Sequence, residues 1–281
     1  MKLGQFTIST VSGGRFHPDG GTMFGVVPKV MWSKLIPVDE YNCIPQATNC
    51  VLVQTGRQNV LIDTGYGSKL RDKERALLRA DPGNPIVDNL KAKGLSPDDI
   101  DLVVLSHLHF DHAGGGIRLV DGKLVTTFPR AEYVVQRLEW EIATAGYPEL
   151  RAAYPQENIA PLKDSGQLRL VDGDVDIIPG IRARITGGHT NGQQALFIES
   201  EGQTAVYLAD ACPTWRHLPS LWCMSYDMDL LQARRIKPIL LGEIADRGWL
   251  ALSDHDPDHA AARLARDPDR EFAVTEAIRE L

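Results

Sequence analysis

The sequence has few cysteines, and none of them are paired at the spacing of a zinc-binding or redox motif. There are four, Cys43, Cys50, Cys212 and Cys223, so we expect neither a thiolate metal site nor a fold stabilised by disulfides. Buried, reduced thiols are the favoured interpretation, and they are typical of a cytoplasmic protein. A Cys43–Cys50 disulfide is the alternative.

Long apolar runs and an excess of positive charge are also missing. No run of about 18 apolar residues exists, which excludes a transmembrane helix, and residues 1–14 have no apolar core typical of a secretory signal. The 37 acidic residues outnumber the 30 basic ones, for a formal charge of -7. This balance argues against a nucleic-acid partner, because such surfaces need clustered Lys and Arg. A globular protein of 281 residues is left, a length that suits one large α/β domain or two small ones.

Hydrophobic patterning predicts two groups of strands, each followed by helices. We expect strands at residues 5–10, 50–55, 59–63, 102–105, 131–136, 168–171, 175–178, 181–186, 195–199, 204–208 and 249–252. We expect helices at residues 68–80, 85–93, 137–145, 228–245 and 258–265. This order favours two sheets packed together with helices outside, and no linker divides the chain into domains.

Three histidines and an aspartate follow the strand predicted at 102–105. They are His107, His109, Asp111 and His112, and glycines occupy positions 114–116. In an extended chain His107 and His109 face the same side, and a turn at the glycines lets Asp111 and His112 approach from another direction. Two pairs of ligands suit two adjacent metal ions. Imidazole with carboxylate and no thiolate fits Zn, Fe, Mn or Co.

Further candidate ligands follow other predicted strands. His189 follows the strand at 181–186, Asp210 follows the strand at 204–208, and His255 follows the strand at 249–252. Each is weak evidence alone, because an aspartate after a strand is commonly a turn residue. Together with the histidine-rich segment they provide seven ligands from four loops, which is how α/β folds build sites.

This pattern resembles the metallo-β-lactamase superfamily of dinuclear metallohydrolases. The resemblance extends over residues 49–255 and rests on His107-x-His109-x-Asp111-His112 with His189, Asp210 and His255. It implies a four-layer αβ/βα sandwich of two mixed sheets with outer helices, formed by residues 1–281 as one domain. The ligand sets that the resemblance implies are His107, His109 and His189 for one ion, Asp111, His112 and His255 for the other, Asp210 between them, and Asp63 beside the ligands.

Within the superfamily, the chain is most similar to acyl-homoserine lactonases and methyl-parathion hydrolases. This similarity implies two divalent ions, with Zn as the default and Fe, Mn or Co as alternatives. It also implies hydrolysis of an ester-like bond, foremost a lactone, by a hydroxide held between the ions, with Asp111 able to accept its proton. The alternatives are a phosphotriesterase, an arylesterase or a thioesterase on the same site. A mononuclear-iron dioxygenase of the same fold is a further alternative.

Two apolar segments, residues 19–28 and residues 215–226, are candidates for the substrate-binding surface. The residues predicted to contact an apolar acyl or aryl group are Met23, Phe24, Phe110, Trp215 and Trp222. The same segments can instead form core or a homodimer contact. Pro213 stands where the similar lactonases carry a catalytic Tyr, so Tyr226 is the candidate replacement. His217 is the candidate acid that protonates the leaving group.

Overall fold

The computed structural model describes residues 1–281 and contains sixteen strands and eight α-helices. The strands are β1 (Lys2–Leu3), β2 (Phe6–Phe16), β3 (Gln46–Gln54), β4 (Asn59–Ile62), β5 (Leu102–Val104), β6 (Ile117–Val120), β7 (Lys123–Thr126), β8 (Glu132–Gln136), β9 (Leu168–Val171), β10 (Val175–Ile178), β11 (Ile181–Ile185), β12 (Gln194–Ser200), β13 (Gln203–Tyr207), β14 (Leu250–Leu252), β15 (Ala261–Asp267) and β16 (Glu271–Ile278). The helices are α1 (Gly20–Phe24), α2 (Lys29–Trp32), α3 (Asp72–Leu78), α4 (Pro85–Ala92), α5 (Phe110–Ala113), α6 (Arg137–Thr144), α7 (Gln156–Ser165) and α8 (Leu230–Arg247).

The strands form two mixed sheets of seven strands and a separate hairpin, β6-β7. The first sheet has the order β1-β2-β3-β4-β5-β8-β9, and the second runs from β10 to β16 in chain order. Strands β4, β5, β8 and β9 are parallel, as are β13 and β14, and the other pairs are antiparallel. The parallel strand β5 is buried along its whole length, which explains its continuous apolar sequence.

Three apolar clusters separate four layers. Side chains of both sheets, such as Val53 and Ile198, form the central cluster between them. Helices α4 and α7 cover the outer face of the first sheet, where Leu90 and Leu162 are buried. Helix α8 covers the second sheet through residues such as Leu240. The predicted αβ/βα sandwich is therefore confirmed. None of the helices combines the length and apolar character that a bilayer crossing requires.

The C-terminal prediction was wrong: the segment expected to form a helix at 258–265 contains strand β15. Its alanines favour a helix on propensity, but β15 pairs with β14 and β16 to extend the second sheet. Ala261 and Ala262 are buried, one against the central cluster and the other beneath α8. Tertiary packing thus overrides local propensity. The alternative Cys43–Cys50 disulfide is also wrong, because all four cysteines are free.

Candidate metal centre

The ends of four strands bring the polar side chains to one edge of the sandwich. Asp63 follows β4, and the segment from Ser106 to His112 follows β5. In the second sheet Asp210 follows β13, and His255 follows β14. Strand β4 is parallel to β5, and β13 is parallel to β14. The carboxyl ends of each pair therefore lie at the same edge of their sheet, where α/β folds place ligands.

Close backbone contacts fix the shape of the histidine-rich loop. Both the backbone N–H and the hydroxyl of Thr64 donate to the carbonyl of His112, at 2.7 and 2.8 Å. Gly115 passes so near this segment that a Cβ atom would lie 2.1 Å from the Thr64 carbonyl oxygen. The glycines therefore permit the loop to turn tightly against β4, as the sequence predicts.

One group of ligand atoms comprises His107, His109, His189 and Asp210, all buried. His189 Nε2 lies 2.9 Å from His109 Nδ1 and 3.0 Å from Asp210 Oδ2. His107 Nε2 lies 3.5 Å from the same Asp210 oxygen. The structure thus brings together the three histidines that the resemblance assigns to one ion.

A second group comprises His112, Asp210, Asp254 and His255, so Asp210 belongs to both groups. His112 Nε2 lies 3.2 Å from His255 Nε2 and 3.5 Å from Asp210 Oδ2, and His255 Nε2 lies 3.4 Å from Asp210 Oδ1. Asp111, which the sequence also assigns here, has Oδ2 3.7 Å from His255 Nε2, and its side chain is 13% exposed. The site is therefore of the dinuclear type.

The donor atoms fit divalent cations in spacing and in their lack of other partners. Ligand atoms about 2.0–2.1 Å from a tetrahedral zinc lie about 3.3–3.4 Å apart, close to the separations within each group. His107 Nε2, Asp210 Oδ1 and both carboxylate oxygens of Asp254 are buried without a hydrogen-bond partner. Each such buried polar atom costs about 1–3 kcal/mol, and a bound cation removes that cost.

Hydrogen bonds on the far side of the rings orient the histidines. His112 Nδ1 lies 2.8 Å from Asp63 Oδ2, His189 Nδ1 lies 2.9 Å from Asp227 Oδ1, and His255 Nδ1 lies 2.8 Å from the Ala47 carbonyl oxygen. Such contacts fix the ring tautomer and leave Nε2 available as a ligand. Asp63 also accepts hydrogen bonds from the Ser106 and Tyr207 hydroxyls, at 2.7 and 2.9 Å.

The buried side chain of Glu139 forms hydrogen bonds with three segments around the first group of ligands. Its carboxylate accepts hydrogen bonds from the backbone N–H of Leu108, from the Tyr154 hydroxyl and from the Thr190 hydroxyl. Burial raises the pKa of Glu139, although these donors oppose the rise. The contacts hold the loop that carries His107 against the loop that carries His189.

The pKa values of the two buried carboxyl groups diverge. Burial disfavours the charged form of Asp210, but the imidazoles of His189 and His255 outweigh it and hold its pKa well below the usual range. Burial and the neighbouring Asp210 raise the pKa of Asp254 well above its usual range. The Asp210 and Asp227 carboxylates overcome burial and raise the pKa of His189 to about 10. Adjacent carboxyl groups of this kind cannot both ionise cheaply without a cation.

Several residues predicted to bind substrate or assist catalysis lie near these groups. The Tyr226 ring meets the His189 ring edge-on at 5.8 Å, and its hydroxyl contacts the sulfur of Met23. Burial of the hydroxyl and the nearby Asp210 raise the pKa of Tyr226 well above its usual range. Phe110 packs against Phe16, whose ring lies 5.8 Å from that of His255. Met23 is buried in the same cluster as Phe24, which argues against direct substrate contact, while the roles of Tyr226 and Phe110 stay predictions.

His217 has contacts that argue against the predicted acid role. It is buried, Nδ1 lies 2.8 Å from the Thr214 hydroxyl, and Nε2 lies 2.9 Å from the Met23 carbonyl oxygen. The ring stacks on Phe24 at 4.6 Å. Burial lowers the pKa of His217 to about 3, so the ring is neutral and both nitrogens are occupied. These contacts favour a packing role.

Phe24 and Trp215 also occupy places that argue against direct substrate contact. Phe24 is fully buried between Trp32 and His217 and meets Trp222 edge-on. Trp215 packs against the cluster beneath α8, and its indole N–H donates to the His259 carbonyl. Both side chains hold the loops in place, while Trp222 is half-buried and stays a predicted substrate contact.

Replacement of His217 by Phe should lower stability and spare catalysis. The change leaves the Met23 carbonyl without its His217 donor and removes one of two hydrogen bonds of the Thr214 hydroxyl, which still accepts from the Arg216 N–H. We therefore expect the free energy of unfolding to fall by about 1–3 kcal/mol in urea titrations. Loss of a general acid would instead lower kcat roughly a hundredfold or more. Such a loss in a folded variant with its full metal content would contradict the packing role.

The sequence predictions do not include five residues that support the site: Asp254, Asp227, Tyr207, Ser106 and Glu139. Asp254 is adjacent to His255, and its position between two polar residues after β14 was the available signal. Asp227 and Tyr207 reach the site from a loop and from a strand end. Their contacts arise from packing, and no motif marks them.

Comparisons with known proteins agree with this geometry. The profile of the metallo-beta-lactamase superfamily matches residues 43–269, and the chain belongs to that superfamily. A solved structure described as a probable metal-dependent hydrolase from Staphylococcus aureus has a TM-score of 0.92 and 32% identity, and covers 99% of this chain and 98% of its own. The dizinc quorum-quenching lactonase AidC, solved with a homoserine product, has a TM-score of 0.81 at 22% identity, covering 99% and 97% of the two chains. At that identity it supports the fold alone.

Curated relatives match part of the chain. An N-acyl homoserine lactonase from Bacillus thuringiensis is 32% identical over 169 residues, which cover 57% of this chain and 61% of the relative. An atrochrysone carboxyl ACP thioesterase from Passalora fulva is 28% identical over 160 residues, covering 56% of this chain and 35% of the relative. The match thus spans about three-fifths of the lactonase and about a third of the thioesterase. The superfamily and the two groups of ligands together define a metallo-beta-lactamase fold with a metal site of the dinuclear type.

Proposed function

We propose that the protein is a dinuclear metal-dependent lactonase. The observation that carries the proposal is the pair of buried ligand groups that share Asp210. A mononuclear-iron dioxygenase of this fold would need only one such group, so the second group favours hydrolysis. The lactonase from Bacillus thuringiensis supports a lactone as the substrate.

The residues of the site would have different roles in metal binding and proton transfer. His107, His109 and His189 would hold one ion, His112 and His255 the other, and Asp210 both. Two bound cations, most commonly zinc, lower the pKa of water towards neutrality and polarise the carbonyl of an ester or lactone. We assign to Asp111 the role of accepting a proton from the attacking water, which its partial exposure beside His255 supports. The neutral Tyr226 hydroxyl is the candidate donor to the substrate oxygen.

An apolar surface beside Tyr226 supports a substrate with an acyl chain or an aryl group. The segment with α1 packs on the segment before α8: Ser225 N–H donates to the Thr22 carbonyl at 2.9 Å. Val26, Leu221 and Tyr226 on these two segments are 74, 61 and 44% exposed. Exposed apolar side chains near a site suit an apolar ligand.

A panel of substrates tests the proposal on the purified, metal-loaded enzyme. We expect kcat/KM for N-acyl homoserine lactones to exceed that for aryl esters, thioesters and organophosphate triesters by at least about tenfold, a difference of about 1.4 kcal/mol in transition-state stabilisation. Longer acyl chains should lower KM because they bury more apolar surface. Faster turnover of a phosphotriester or a thioester than of any lactone would overturn the choice of substrate.

A further inference from the structure

Asp254 is a buried carboxyl group that the proposed mechanism leaves without a task. Its side chain is 1% exposed, and neither carboxylate oxygen has a hydrogen-bond partner. Asp63 and Asp227, the carboxylates behind the ligands, both accept hydrogen bonds from backbone N–H groups. A buried carboxylate without partners is costly, so its retention beside two imidazoles points to a cation.

The distances place Asp254 among the ligands of the second group and not behind them. Asp254 Oδ2 lies 3.4 Å from His255 Nε2 and 3.8 Å from His112 Nε2. These Nε2 atoms are the ones free to bind an ion, because the Nδ1 atoms of the two rings form hydrogen bonds with Asp63 and with the Ala47 carbonyl. Atoms at these separations can bind one ion, because ligands of a tetrahedral zinc lie about 3.3–3.4 Å apart.

The backbone around Asp254 is firmly held, so the carboxylate is aimed at this position by the fold. Asn49 N–H donates to the Asp254 carbonyl at 2.6 Å. The Asn49 amide donates to the carbonyls of Ser253 and Asp256, and the Ser253 hydroxyl donates to the Pro213 carbonyl at 2.6 Å. The loop on both sides of Asp254 is thus fixed before any ion binds.

We propose that Asp254 is a direct ligand of the second ion, together with His112, His255 and Asp210. The two positions then differ in chemistry: the first offers three imidazoles and one shared carboxylate, while the second offers two imidazoles and up to three carboxylates, including Asp111. Carboxylate-rich sites favour harder cations such as Mn²⁺. The second position should therefore bind Mn²⁺ relatively better than the first. The proposal rests on the dinuclear centre of the proposed function but not on the lactone substrate.

Metal titrations of the full chain after chelator treatment test the proposal. In Asp254→Asn, we expect one Zn²⁺ to bind as in the wild type and the second to bind more than about a hundredfold more weakly, beyond the roughly 10–100-fold typical when a supporting hydrogen-bond partner is lost. Mn²⁺ affinity, followed by electron paramagnetic resonance, should fall more than Zn²⁺ affinity. The absorption bands of a Co²⁺-loaded protein should change, since a donor atom is replaced.

Asp227→Asn is the matched control, because Asp227 orients His189 without facing the ions. This variant should lower the affinity of the first position for its ion and leave Mn²⁺ binding at the second position unchanged. Asp254→Asn removes no hydrogen bond, so before metal is added it should unfold at or above the wild-type temperature. Should the Asn variant fail to fold, Asp254→Ser provides the same comparison.

Wild-type affinity for two ions in Asp254→Asn, with unchanged Mn²⁺ and Co²⁺ spectra, would overturn the proposal. A wild-type chain that binds fewer than two ions would overturn it together with the proposed function. Lactone turnover is not measured in these titrations, so a wrong choice of substrate would leave their result unchanged.

Discussion

Asp210→Ala should lose at least about a thousandfold in kcat/KM while the chain stays folded. Asp210 is the one residue shared by the two ligand groups, and its oxygens lie 3.0 Å from His189 Nε2 and 3.4 Å from His255 Nε2. Its removal therefore takes a carboxylate from both ions. Steady-state kinetics, metal analysis and circular dichroism of the purified variant check this result.

Asp164→Ala provides the matched control for this experiment, because Asp164 is an exposed carboxylate on α7. It should retain wild-type kinetics and metal content. Full activity in a folded Asp210→Ala variant would contradict the mechanism, since no other carboxylate belongs to both groups.

Removal of the metal should cost both activity and stability. Ions that bind the native state at a thousandfold excess over their dissociation constant contribute about 4 kcal/mol each. Two ions therefore contribute about 8 kcal/mol, and for a chain of this size we expect the unfolding temperature to fall by roughly 15 °C. Chelation followed by calorimetry measures the shift. Without cations, both carboxylate oxygens of Asp254 are buried without a hydrogen-bond partner, which adds to the loss.

Return of the unfolding temperature on addition of Zn²⁺ distinguishes metal loss from irreversible damage. Mg²⁺ at the same concentration is the control, because imidazole-rich sites bind it poorly. An unfolding temperature that does not change on chelation would contradict a metal centre in the folded chain.

The ligand pattern could be predicted from the sequence because its signal is local. His107, His109, Asp111 and His112 lie within six residues, and the strand before them is apolar enough to locate. His189 and His255 follow predicted strands, and the resemblance to the metallo-β-lactamase superfamily implied that they join the same site. The structure brings these histidines to within hydrogen-bond distance of their neighbours.

The remaining features depend on packing, which no local pattern reveals. Asp254 was missed because alternation in an extended chain directs neighbours to opposite sides, whereas the loop after β14 brings Asp254 and His255 into the same group of potential ligand atoms. The helix expected at 258–265 has helical composition, and only pairing with β14 makes it a strand. His217 carries no signal in the sequence for its two hydrogen bonds, which come from a loop contact with Met23.

The stoichiometry of reactivation tests the central claim most directly. Chelator-treated enzyme is titrated with Zn²⁺ while lactone hydrolysis and bound metal are measured in the same samples. The dinuclear centre predicts that activity rises with bound metal and reaches its maximum at two ions per chain. Full activity at one ion per chain, or in a chain with no metal, would contradict it.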